Sequence, residues 1–189
     1  MAFEDFKTKD SVVLIYTGDG KGKTSASVGL MARALGNDWR VAFIQFIKHW
    51  DVGEHKFIRN VQPLYGDKLF FFKGGKGFFN AGGLSAKDVT PEEHKLAAEL
   101  TYDTAKECAM SGKFDLVICD EINNAVNDGL LKDSDIVELI KRRHPTTSLC
   151  LTGRNFKMSL LDSVDIATEM RKLKHHYDDK FLANKGIDF

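Results

Sequence analysis

Two lysines and a threonine set among glycines carry the first hint of chemistry in this chain. In YTGDGKGKTSAS, residues 16–27, Gly18, Gly20 and Gly22 alternate with Asp19, Lys21 and Lys23, and Thr24 and Ser25 follow. Glycines let backbone N–H groups turn toward an anion and approach it closely. The lysines supply cations, and a hydroxyl at position 24 can sit on a magnesium ion. The usual phosphate loop reads G-x-x-x-x-G-K-[ST]. Counted back from Gly22, Lys23 and Thr24, its first glycine falls at position 17, which is threonine. The loop is one residue short, yet it sits between a strand-like run and a helix-like run, the order that phosphate binding at a helix N-terminus requires.

Asp120 and Glu121 close the apolar run FDLVICDE, residues 114–121. Carboxylates at the C-terminal end of a strand can hold magnesium directly or through water, and otherwise form a solvated turn. Arg154 follows Thr152 and Gly153 past the end of another apolar run; such an arginine reaches a phosphate or sits in a surface turn. Phe78 and Phe79 lie in GGKGFFNAGG, residues 74–83, either as contacts to a large planar ligand or as anchors in the core.

The elements that position these residues follow from hydrophobic periodicity. Strands are expected over residues 11–17, 40–47, 68–73 and 114–121, in the run SLCLTGR, and near 166–170. Helices are expected over residues 24–36, closed by Gly36, and from Thr90, Pro91 and Glu93 to about residue 111, where threonine N-cap, proline and glutamate form a helix start. A further helix is expected over residues 133–143, with a short one near 157–162. Alternating strands and helices predict one α/β domain over residues 1–189, a P-loop NTPase-like fold with a mostly parallel central sheet and helices on both faces.

Lys plus Arg equals Asp plus Glu at 27 each, so no global field points to nucleic acid. No apolar run is long enough for a bilayer and no signal peptide is recognisable. Cys108, Cys119 and Cys150 form no C-x-x-C pair, and Cys119 and Cys150, inside apolar strand-like runs, read as buried reduced thiols of a cytoplasmic protein. The six histidines show no zinc spacing.

Taken together, the motifs resemble the ATP:corrinoid adenosyltransferases of the P-loop type, which act on cob(I)alamin and cob(I)yrinic acid a,c-diamide. YTGDGKGKTSASVGLMARALG is similar to the family's opening, VAFIQFIK with Gly53-Glu54 to its second strand, DLVICDEI and LTGRN to its later strand ends, and DIATEMRKLKHHYDDKFLANKGIDF to its ending. The resemblance implies that residues Gly18, Asp19, Gly20, Lys21, Gly22, Lys23, Thr24 and Ser25 hold ATP in reversed polarity. It implies magnesium at Thr24 and Glu121 with Asp120 nearby, Arg154 on the nucleotide, and catalytic roles for Lys23, Thr24 and Glu121. Cobalt(I) would attack C5′ of the ribose and expel triphosphate, which needs no general base. Phe78 matches the first aromatic of the segment that lies under the corrin and removes its lower ligand, easing reduction of cobalt(II); Phe79 is the second candidate for that pocket. The family often has Trp where this chain has Asn80. It also has Gly in place of His49 and Pro in place of Lys172. With about ten residues before the first strand, no long N-terminal helix is expected over the corrinoid. The implied substrates are ATP and a cobalamin or cobyrinate-type corrinoid, and the implied partners are a flavoprotein reductant and a second copy in a homodimer.

Overall fold

In the structure, a computed structural model that describes residues 5–79 and 88–189, six strands form one sheet in the order β3-β2-β4-β5-β1-β6. The strands are β1 (Val13–Thr17), β2 (Val41–Gln45), β3 (Leu69–Lys73), β4 (Leu116–Asp120), β5 (Ser148–Thr152) and β6 (Ile166–Glu169). Every pairing is parallel, so the sheet is wholly rather than mostly parallel.

Side chains alternate across the central strands. Val13, Ile15, Ala42, Ile44, Val117, Cys119, Leu149 and Leu151 enter the core on one face. Leu14, Val41, Phe43, Leu69, Leu116, Ile118 and Cys150 enter the core on the other. The first face is covered by α3 (Pro91–Met110), α4 (Ile122–Asn127) and α5 (Asp133–Arg142). The second is covered by α1 (Lys23–Gly36) and α2 (Gly53–Tyr65). The near-continuous apolar runs of β2, β4 and β5, buried at every position, follow from this double cover.

The helix start at Thr90 forms as its sequence requires: the Thr90 hydroxyl accepts the Glu93 N–H at 3.2 Å, and the Glu93 carboxylate accepts the Thr90 N–H at 2.8 Å. The close of α1 differs from expectation. Gly36 is still helical, and the left-handed residue is Asp38, at φ 62°. Trp39 N–H returns to the Ala34 carbonyl and completes the turn there. Asn80, named in the family comparison of the aromatic loop, lies outside the described residues.

Parallel order brings the C-terminal ends of all six strands to one edge. β5 lies between β1, which feeds the glycine loop, and β4, which ends at Asp120.

Candidate active site

The glycine loop leaves β1 at Thr17 and enters α1 at Lys23. Gly18 and Gly22 have φ of 97° and 113°, which only glycine adopts freely. Gly20 donates its N–H to the Met170 carbonyl at 2.6 Å. A Cβ on either Gly18 or Gly20 would lie 2.5 Å from that carbonyl oxygen. Two of the three glycines therefore make room for the chain just past β6. Only Gly22 keeps an open approach, with the Met170 sulfur 3.5 Å from a Cβ placed there. The Asp19 carboxylate accepts the Lys172 N–H at 3.2 Å, the chief reason its pKa is lowered.

The two loop lysines face different ways. Lys23 donates to the Gly18 and Gly20 carbonyls at 2.7 and 2.6 Å and so spans the loop. Lys21 pairs with Asp188 at 2.8 Å, within the GIDF segment.

Asp120, fully buried at the end of β4, is held by three donors. Thr152 Oγ1 reaches Oδ1 at 2.8 Å; Gln45 Nε2 and Thr24 Oγ1 reach Oδ2 at 3.0 and 3.2 Å. Gln45 lies beside Asp120 because β2 and β4 pair in that register. Thr152 in turn accepts the Glu121 N–H at 2.9 Å. Glu121 is left-handed at φ 64°, a conformation that costs a non-glycine residue roughly 1–3 kcal/mol and persists where the surroundings fix it. Its Oε2 is sealed from solvent and has no hydrogen-bond partner. Burial, and then the adjacent Asp120 carboxylate, push its pKa up to about 7. A sealed carboxylate oxygen beside a second carboxylate and a hydroxyl suits a hard divalent cation, which takes oxygen donors and keeps part of its water shell. Among the described residues no three His, Cys, Asp or Glu side chains form a metal-holding group.

Lys48 and Glu54 carry no role that their local sequence announces. Lys48, just beyond β2, pairs with Glu54 from the first turn of α2 at 2.5 Å and stands 3.4 Å from the Thr24 hydroxyl. Burial opposes its charge, but Asp120, Glu121 and Glu54 outweigh burial and hold its pKa above the ordinary lysine value. The usable signal is a cation just past a largely apolar strand, six residues before Glu54. Gln45 and Thr152 gave no such signal, since each reaches Asp120 only through strand adjacency.

These groups border one cleft of about 710 Å³. Residues 19–25, Glu121, Arg154 and Phe78 line it; Gly18, Asp120 and Phe79 do not. Arg154 is fixed through its N–H on Asn124 Oδ1 at 2.7 Å, beside Gly153 at φ 135°. Phe78 meets the half-exposed Trp50 with ring centroids 4.9 Å apart. Phe79 meets the buried His94 ring at 5.2 Å, tilted by 51°, and both phenylalanines pack against the core. Segments from the end of the chain, including His175, His176, Ile187 and Phe189, form the opposite wall.

Comparison with known proteins bears on this cleft. A family model described as ATP:corrinoid adenosyltransferase BtuR/CobO/CobP matches residues 9–189. A corrinoid adenosyltransferase of Sinorhizobium sp. is 32% identical over 94% of this chain and 80% of its own length. One from Pseudomonas aeruginosa is 31% identical over 94% and 83%, and one from Escherichia coli K12 is 28% identical over 94% and 85%. Among solved structures, the flagellar accessory protein FlaH of Methanocaldococcus jannaschii superposes with a TM-score of 0.54 at 14% identity, covering 85% of this chain and 71% of that one. At that identity the likeness concerns the fold alone, a P-loop type.

Proposed function

Given that the chain belongs to the ATP:corrinoid adenosyltransferase family, we propose that the cleft beside the short glycine loop is where its ATP and corrinoid meet. ATP-dependent adenosylation of a corrinoid is the reaction of the family and of this chain. One observation carries the site assignment: a single cleft joins the loop, Glu121, Arg154 and the Phe78–Trp50 rings.

In this reading the triphosphate lies along residues 18–25. Lys23 and Lys48 are already held toward the cleft by carbonyl and carboxylate partners, so they stabilise charge on the departing triphosphate with little reorganisation. Lys21 is released to phosphate when its pairing with Asp188 opens. Arg154 supplies a planar donor to the nucleotide. Thr24, Glu121 and Asp120 would hold magnesium, which neutralises triphosphate oxygens when bound. Phe78 and Trp50 offer flat apolar surface to the corrin, and attack by cobalt(I) on C5′ needs alignment, not a base.

Further parts of the reading follow from the family. A flavoprotein supplies the electron. The chain works as one catalytic domain and pairs as a homodimer. Its three buried free cysteines suit the cytoplasm, and among the described residues no helix is long and apolar enough to cross a membrane. The test is direct. Protein with ATP, magnesium and chemically reduced cobalamin should give an alkylcobalamin spectrum and inorganic triphosphate. ADP as the nucleotide product, with no cobalt–carbon bond, would overturn the reading.

A further inference from the structure

The geometry points to His55 as a positioning residue that orients Asp120 through Gln45. This rests on the magnesium assignment proposed above. His55 lies in the first turn of α2 and is fully buried. Its Nε2 is 2.5 Å from Gln45 Oε1. Gln45, 1% exposed, donates from Nε2 to Asp120 Oδ2 at 3.0 Å. The same Oδ2 accepts the Thr24 hydroxyl at 3.2 Å. Four elements, α2, β2, β4 and α1, thus contribute one residue each to a continuous chain.

Hydrogen-bond chemistry sets the direction of that chain. An ionised carboxylate only accepts, so Gln45 must turn its NH₂ end to Asp120 and its oxygen to His55. His55 must then carry its proton on Nε2, an assignment made from the network. Its Nδ1 is left as acceptor, facing the Val52 N–H at 3.5 Å with Asp51 at 3.6 Å beyond. Burial, then the nearby Lys73 ammonium, lowers the His55 pKa and keeps the ring neutral, as this arrangement needs. Without the Nε2–H, the Gln45 amide is free to invert and set its oxygen against the Asp120 carboxylate. Asp120 Oδ2 would then lose its anchor and its aim at Thr24. Groups behind metal ligands commonly set affinity in this way, with tenfold to hundredfold losses when removed.

A rival view makes His55 a core filler, packed on the Phe71 ring at 5.6 Å. Two variants separate the views. Glutamine at position 55 can place an N–H where imidazole Nε2 stands, whereas asparagine is too short and reaches only the Nδ1 position. Both bury a neutral amide. Mn²⁺ binding in the presence of ATP, followed by electron paramagnetic resonance, needs no corrinoid and no turnover. His55→Asn should weaken Mn²⁺ binding by about tenfold, while His55→Gln stays near the parent, although both lower the melting temperature. Equal Mn²⁺ affinity in parent and His55→Asn, or equal losses in both variants, would overturn the proposal. Should neither variant fold, Gln45→Met keeps the volume and removes the amide: a loss of about tenfold supports the chain, and parent-like affinity overturns it. A parent that binds Mn²⁺ with ATP but makes no alkylcobalamin would refute the function proposed above and leave this result standing; a parent that binds no Mn²⁺ would overturn the positioning role itself.

Discussion

Phe78 and Phe79 are neighbours in sequence that meet different aromatic partners. One meets Trp50 at the cleft, and the other meets His94. Both rings are half-buried and pack against the same core cluster; what distinguishes them is the ring each meets and that only Phe78 also lines the cleft. Their substitutions should separate accordingly. Phe79→Ala should cost roughly 1–3 kcal/mol in urea unfolding, below the full cost of emptying a core phenylalanine because the ring is only half-buried. Its adenosylation rate should stay close to the parent's. Phe78→Ala should cost a similar amount of stability but, unlike Phe79→Ala, turn over poorly from cobalt(II) with a protein reductant, and far better from pre-reduced cobalt(I). Equal losses for Phe78→Ala in both assays would show that its ring takes no part in easing the reduction. The glycines teach a similar lesson. Gly18 and Gly20 read as phosphate glycines, but the carbonyl they accommodate belongs to Met170, a partner that no local pattern announces.

At the scale of elements, α1, α3 and α5 are legible in the sequence, while α2 and α4 are not. α3 carries its capping residues in sequence. α2 begins after Val52, whose own side chain cannot cap it, and contains Pro63; α4 is six residues long and begins at a left-handed glutamate, so it reads as a turn. Packing of α2 on Phe43 and Leu69 through Ile58 replaces the missing local signals. Helices α3 and α5 are also joined by charge. Glu138 accepts Lys106 at 2.7 Å, Arg142 at 2.9 Å and the Tyr102 hydroxyl at 3.1 Å. Lys106, then Arg142 and Tyr102, pull its pKa from the ordinary 4.5 down to about 2. A carboxylate with a lowered folded-state pKa adds stability that is fully present above its unfolded value and is lost as pH falls through the folded one. The difference in urea midpoint between parent and Glu138→Gln should therefore be constant near neutrality and shrink as pH falls from 4.5 toward 2. A difference that holds constant into acid would mean that Glu138 acts through packing.

The whole molecule explains why the site was only half legible. Lys23, Thr24, Asp120 and Glu121 announce themselves by type and local order. Gln45, Thr152 and Lys48 join them only because β2, β4 and β5 are neighbours, and strand order is a property of the complete sheet. The same sheet leaves β6 at an edge with all four residues exposed. Ile166 is among them, and beyond the strand Leu173, Phe181 and Leu182 are largely uncovered. An open edge with apolar neighbours invites pairing, which is consistent with the homodimer proposed above. Ile166→Lys should then shift the protein from dimer to monomer in light scattering. A parent that is already monomeric would refute the homodimer.

The Asp19–Lys172 contact joins residues 153 positions apart, and the neighbouring Gly20–Met170 bond ties the same two segments. In kinetic terms, the glycine loop is therefore a late product of folding, although it is encoded early. Closing so long a span is slow and is rewarded only after the intervening sheet has formed. During synthesis, residues 18–24 leave the ribosome long before the backbone that shapes them, so the emerging chain has no finished nucleotide cradle. ATP can then act on this protein as a brake on unfolding, not as a template for folding.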